Sequence, residues 1–78
     1  MGTIIRGRLS QWDCKQIGDY RKCRTRAREV FHIVYLYCGQ PTMEHCIYYG
    51  RKMVGHAPTI REAVSLRNYF YKNPTILM

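Results

Sequence analysis

Negative charge is scarce in this chain. Five Asp and Glu stand against 13 Lys and Arg, a formal net charge of +8, and arginine outnumbers lysine nine to four. So much uncompensated positive charge on a small body favours an acidic partner: a phosphate backbone, anionic lipid or an acidic protein face. The sign constrains the partner and says nothing of the fold.

Long apolar runs are missing as well. The longest, Val30 to Cys38, is interrupted by His32 and is about half of the roughly 18 to 20 residues needed to span a bilayer. It reads as a core or interface helix, and no transmembrane segment is expected. Also absent are a glycine-rich phosphate loop, a paired-carboxylate site and a cofactor motif. No orienting group or oxyanion loop accompanies a Cys/His pair. These absences predict a non-enzyme without a cofactor. At the N-terminus Arg6 stands where an N-myristoylation signal requires Ser or Thr. The first twelve residues hold arginine and no acid, a composition shared by mitochondrial targeting segments and by arms lying on a partner.

Cysteine is present, but in no recognised pattern. Cys14, Cys23, Cys38 and Cys46 leave eight, fourteen and seven residues between them, which fits no Cys-x-x-Cys zinc or redox spacing. With no secretory signal ahead of them, reduced and partly buried thiols are the favoured expectation. Cys38, His45, Cys46 and either His32 or His56 have ligand chemistry suited to zinc. Adjacent His45 and Cys46 would diverge on a helix, so no metal site is predicted.

The local signals along the chain read as helical. Ser10 with Asp13 is a capping-box variant opening a short helix from Gln11 to about Ile17, which Gly18 breaks. Asp19 is placed as the N-cap of a longer helix to about Tyr37, ended by Gly39. Within it Ala27, Val30, Phe31, Val34 and Cys38 recur at the three-and-four spacing of a buried stripe. Pro41-Thr42, Pro58-Thr59 and Pro74-Thr75 recur at intervals of 17 and 16 residues, and Thr59 with Glu62 completes a second capping box. Gly50 is read as a point of close helix approach and Gly55 as the break between two units, which together form a helical hairpin. The expected fold is all-α: about three helices over residues 10–73, an extended basic arm over 1–9 and an extended tail over 74–78.

The candidate binding residues follow from charge and aromaticity. Arg21, Lys22, Arg24, Arg26 and Arg28 form a basic helix head that Arg51 and Lys52 would extend into one anion-binding surface. Tyr48, Tyr49, Tyr69, Phe70 and Tyr71 combine apolar area with polar tips, as interface residues do. Tyr69, Phe70 and Tyr71 are consecutive and cannot all face one small core. A core drawn from Val30, Phe31, Val34, Ile47, Met53, Val64 and Phe70 is thin for a chain of this size. Ile4, Ile5, Ile76, Leu77 and Met78 lie at ends without a core element of their own. Both ends are therefore expected to be held by other subunits, and the isolated chain to fold only in part.

The leading expectation is thus an accessory, structural subunit of a large assembly. Its setting is a mitochondrial inner-membrane complex of respiratory type, peripheral to the membrane, with acidic subunits or anionic lipid as neighbours. The second is a ribosomal or other RNA-binding structural protein. The two differ in salt response, because phosphate contacts release counterions and protein docking need not.

Overall fold

The chain is α+β, not all-α: a computed structural model, describing residues 2–6, 8–23, 31–37 and 41–78 (backbone alone for 20–23), shows a four-stranded antiparallel sheet with two helices. The elements are β1 (Thr3–Ile4), α1 (Gln11–Cys23), β2 (Phe31–Leu36), β3 (Glu44–Tyr49), β4 (Lys52–Ala57), α2 (Ile60–Lys72) and a 3₁₀ turn (Pro74–Leu77). Strand order across the sheet is β1-β4-β3-β2.

Both helix starts follow from the capping signals. The Ser10 hydroxyl accepts the Asp13 N–H at 3.2 Å, and the Asp13 carboxylate accepts the Ser10 N–H at 3.0 Å. Thr59 Oγ1 accepts the Glu62 N–H at 3.2 Å. Ser10→Ala and Thr59→Ala are each expected to cost about 1 kcal/mol, read as a fall in the urea midpoint.

Gly18 does not end the first helix, which runs on to Cys23 with Asp19 inside it and not at a cap. A Cβ at Gly18 would meet no atom within 4 Å. Gly18→Ala is therefore expected to raise stability by about 0.5 to 1 kcal/mol, since only backbone freedom of the unfolded chain is lost.

Where the rest of the longer helix and the first arm of the helical hairpin were expected, the described residues form a three-stranded meander, β2 to β4; the second arm is the helix α2, and residues 24–30 lie outside the described residues. Phe31-His32-Ile33-Val34-Tyr35-Leu36 is dominated by β-branched and aromatic residues, which fit a pleated surface better than a helix. Its partner is β3, in a register running from Phe31↔Tyr49 to Leu36↔Glu44. The β3–β4 connection is a two-residue turn, for Tyr49 pairs with Lys52 and Gly50 takes a left-handed φ of 63°. Gly50 thus serves the turn, and it is Gly55, inside β4, that permits close approach. A bulge between Ile47 and Tyr48 leaves Val54 without an opposite residue and buries both Val54 and Gly55.

One face of the sheet carries the core. Leu9, Cys14, Ile17, Phe31, Ile47, Val54, Leu66, Phe70 and Leu77 form a single buried cluster joining α1, α2 and the 3₁₀ turn to the strands. Of the core expected from sequence, Phe31, Ile47 and Phe70 belong to it. Met53 and Val64 are half-buried, Val34 is 41% exposed, and Val30 lies outside the described residues.

The two ends are held by the chain itself. β1 pairs with β4, Thr3 opposite His56 and Ile4 opposite Gly55. The N–H groups of Arg8 and Leu9 donate to the Leu77 carbonyl at 2.9 and 3.0 Å, so the last turn closes on the segment before α1. Leu9 and Leu77, absent from the expected core, are both buried in it. These additions supply the apolar mass that the sequence reading lacked.

Candidate functional site

Side chains alternate across a strand, so the register sorts the sheet into two faces. Phe31, Ile33, Ile47, Tyr49 and Ile4 lie toward the helices, in or against the core cluster. The opposite face carries three cross-strand rows: His32, Tyr48 and Met53; Val34, Cys46, His56 and Thr3; and Leu36 with Glu44. No described helix packs on this second face.

No residue of the first row is fully buried. His32 is exposed, Tyr48 and Met53 are half-buried, and the row ends beside the Gly50-Arg51 turn, where Arg51 is exposed. It offers two ring faces and a thioether next to a cation. In the second row Cys46 is buried and disulfide-bonded, to a partner outside the described side chains, which corrects the expectation of reduced thiols at that position. Its sulfur lies 3.9 Å from the Leu36 carbonyl oxygen and 3.7 Å from that of Glu44. His56 Nδ1 lies 2.7 Å from Glu44 Oε1, a largely buried pair on the same face.

The sequence-derived aromatic candidates divide between core and surface. Phe70 is fully buried. Tyr49 and Tyr71 pack on Phe31 with ring centroids at 5.4 and 4.9 Å, and the Tyr71 hydroxyl accepts the Phe31 N–H at 3.2 Å. Tyr69 lies on α2, 36% exposed, while Tyr48 is half-buried on the sheet face that no described helix covers. Of these five, Tyr48 and Tyr69 have the most freedom to meet a partner.

The cationic candidates are also separated. Arg21 and Lys22 stand in the last turn of α1, with side chains outside the described set, and Arg24, Arg26 and Arg28 lie outside the described residues. Arg51 is exposed at the turn tip. Lys52 projects to the helix side and pairs with Asp13 at 3.3 Å. Exposed cations elsewhere include Arg6, Arg8, Lys15 and Arg61. Two of the chain's five acids, Asp13 and Glu44, are already engaged by Lys52 and His56.

Asp13 is held below the usual carboxylate range, chiefly by the Ser10 N–H, with the Ser10 hydroxyl and Lys52 adding to it and burial opposing. A depressed folded-state value means that stability from this group is present above the unfolded pKa of about 3.9. It is lost as pH falls through the folded value. Asp13→Asn is expected to flatten the acid limb of the stability–pH curve as pH falls below the unfolded carboxylate range, measured by urea unfolding over a series of acidic buffers.

The Cys14 thiol is raised by burial and by the nearby Asp13 carboxylate, and it donates to the Pro74 carbonyl at 3.2 Å, so it is a protonated structural group. The zinc candidates are dispersed: the His45 ring packs on Tyr35 at 4.6 Å, Cys46 is in its disulfide, His56 meets Glu44, and Cys38 lies outside the described residues. Among the described residues no three His, Cys, Asp or Glu side chains converge on a metal position, and no helix is long and apolar enough to cross a membrane.

The row of His32 and Met53 and the Glu44–His56 pair were not picked out from sequence, because they depend on strand register. Alternation in Phe31–Leu36 and Glu44–Tyr49 was the signal that could have found them. No protein-family model matches the chain, nor does any curated protein or solved structure.

Proposed function

We propose that the chain is a non-catalytic module that binds single-stranded nucleic acid, RNA in the first place, across the sheet face that no described helix covers. The observation that carries this reading is the row His32, Tyr48 and Met53 on the face opposite the helices, ending beside the exposed Arg51. Bases stack on such rings irrespective of sequence, and cations beside them take the phosphates. The net charge of +8 supplies the long-range attraction such binding needs. A chain that buries its own ends and builds its own core also has less need of neighbouring subunits than the sequence suggested.

The test is fluorescence anisotropy of a labelled oligouridine titrated with the full chain at several salt concentrations. Affinity is expected to fall linearly on a log–log plot, with a slope of about −0.7 per phosphate neutralised. Tyr48→Ala should weaken binding by about 1 to 3 kcal/mol, and Arg51→Glu should both weaken it and flatten the slope. Binding that ignores salt and Tyr48 would sink the proposal.

The second reading is a structural subunit docked on an acidic protein or anionic lipid. It is favoured by Val34 and Leu36, apolar residues with accessible surface on the same sheet face. Its expected outcome is no measurable oligouridine binding at low salt, with recovery of protein subunits after mild detergent extraction. Nothing in the fold selects an organelle.

A further inference from the structure

We infer that Cys46 is bonded to Cys38, and that this disulfide is a redox-sensitive clamp on the end of the β2–β3 ladder. The cysteines of the chain are Cys14, Cys23, Cys38 and Cys46. Cys46 is in a disulfide, while Cys14 is a free thiol that donates to the Pro74 carbonyl. Within the chain that leaves Cys23 and Cys38, and the geometry around Cys46 separates the two.

Cys23 is the last residue of α1, and Cys14 and Ile17 anchor that helix in the core cluster on the helix side of the sheet. The Cys46 side chain leaves the sheet on the other side, in the row with Val34 and His56. A disulfide holds its Cα atoms no more than about 7 Å apart, with the Cβ atoms turned toward each other. β3 is an inner strand, flanked by β2 and β4. A bond from Cys46 to α1 would therefore have to pass through the strand layer or round the whole width of β2.

Cys38 is reached without crossing the sheet. The Cys46 sulfur lies 3.9 Å from the Leu36 carbonyl oxygen and 3.7 Å from that of Glu44. Leu36 and Glu44 are the last pair of the ladder, so the sulfur is directed along the strands to the end where the chain leaves β2. Cys38 comes two residues after Leu36, and two residues carry the chain at most about 7 Å. The partner thus stands within reach of a sulfur already at the Leu36 carbonyl.

Forming the bond takes one proton from each thiol and two electrons from the pair. A small disulfide such as oxidised glutathione accepts them and leaves as two thiols, and a dithiol reductant reverses the exchange. In the oxidised state β2 and β3 are fastened at one end by a covalent bond as well as by their ladder. Reduction leaves the ladder alone to hold them, and it returns to the unfolded chain the freedom that the closed ring had removed.

Two experiments test this. Trypsin cuts after Arg28 and Arg51 with no Lys or Arg between them, so Cys38 and Cys46 fall in one peptide, 29–51, and Cys23 in another, 23–24. The full chain is refolded with oxidised glutathione, its free thiols are blocked, and it is digested without reductant for mass spectrometry. Peptide 29–51 should appear unblocked and lighter than its dithiol form by two hydrogen atoms. Finding it joined to 23–24, joined to a second copy of itself, or blocked at both cysteines would overturn the inference. Independently, a dithiol reductant should lower the melting temperature of the wild type by about 10 °C, and that of Cys23→Ser by as much. Cys38→Ser should start from the lowered value and ignore the reductant. A wild type that ignores the reductant, or a Cys38→Ser variant that still responds as the wild type does, would remove the clamp; should Cys38→Ser fail to fold, the digest and Cys23→Ser decide. None of these readouts involves nucleic acid, so this inference and the proposed function fail separately.

Discussion

Phe31→Ala is expected to leave the chain largely unfolded at physiological temperature. Phe31 is 1% exposed and sits where three elements meet. Its ring lies 5.4 Å from Tyr49 of β3, 5.6 Å from Phe70 and 4.9 Å from Tyr71, both of α2. Truncating a buried phenylalanine costs about 3 to 5 kcal/mol, transfer and cavity together. A chain of this length has roughly 4 to 12 kcal/mol of total stability at about 0.05 to 0.15 per residue, so the loss removes a large share of it. At about 4 to 8 °C per kcal/mol for so small a domain, the melting temperature should fall by some 12 °C at the least. Thermal unfolding followed by far-ultraviolet circular dichroism measures this. The wild type should melt in one cooperative transition, because its core cluster is continuous across both helices and the sheet. A gradual, non-cooperative wild-type melt would instead restore the picture of a chain that folds only on a partner.

The parts of the fold legible in the sequence were those encoded within a few residues. Ser10 with Asp13 and Thr59 with Glu62 are local hydrogen-bonding devices, and both helices begin where they stand. What failed was the reading of apolar spacing in the middle of the chain. Phe31 and Val34 satisfy a helical stripe, yet they lie on opposite faces of a strand, one buried and the other 41% exposed. A run of six residues is too short for spacing alone to separate the two periods, and the β-branched and aromatic content should have decided it. The turn that makes the hairpin, Gly50-Arg51, lacks the Asn-Gly or Asp-Gly pair that would have announced it. The Pro-Thr recurrence marked a helix start after Pro58, but at Pro41 it precedes a strand and at Pro74 it opens a 3₁₀ turn.

The candidate site was legible to about the same depth. Exposed Arg51 and the surface placement of Tyr48 could be guessed from residue type. That Tyr49 and Tyr71 would instead wall in Phe31 could not, since their neighbours come from strands and helices far apart in the chain. The row His32–Tyr48–Met53 exists only because the bulge at Val54 shifts β4 against β3. Without that extra residue a different β4 side chain would stand opposite Tyr48. The chain ends were misjudged for the same reason. Leu9 and Leu77 look like stray apolar residues in the sequence, yet they complete the core once Arg8 and Leu9 bond to the Leu77 carbonyl.

Gly55→Val is expected to separate β1 and α2 from β4, at a cost at or above the roughly 1 to 3 kcal/mol typical of overpacking. Gly55 is buried in β4 on the helix side of the sheet, opposite Ile4 of β1 and Ile47 of β3. A Cβ there would stand 2.7 Å from the Thr3 carbonyl oxygen and 3.1 Å from both Leu66 Cδ2 and Phe70 Cζ. The first neighbour is backbone and cannot yield without moving β1; the other two are core side chains with no exposed surface. Valine adds two further carbons to the same space, so relief requires α2 to lift or β1 to leave. β1 is the weaker of the two, with two paired residues and the Ile5 N–H donating to the Val54 carbonyl at 2.8 Å. Hydrogen exchange should therefore show the Ile5 amide losing protection first, while amides of the β2–β3 ladder keep theirs. Gly55→Ala should show the same order with a smaller loss, because one carbon meets the same carbonyl without the branches. If the valine variant instead exchanged uniformly and melted like the wild type, β4 would have room that the packing around Gly55 does not provide, and the placement of α2 on the sheet would be wrong.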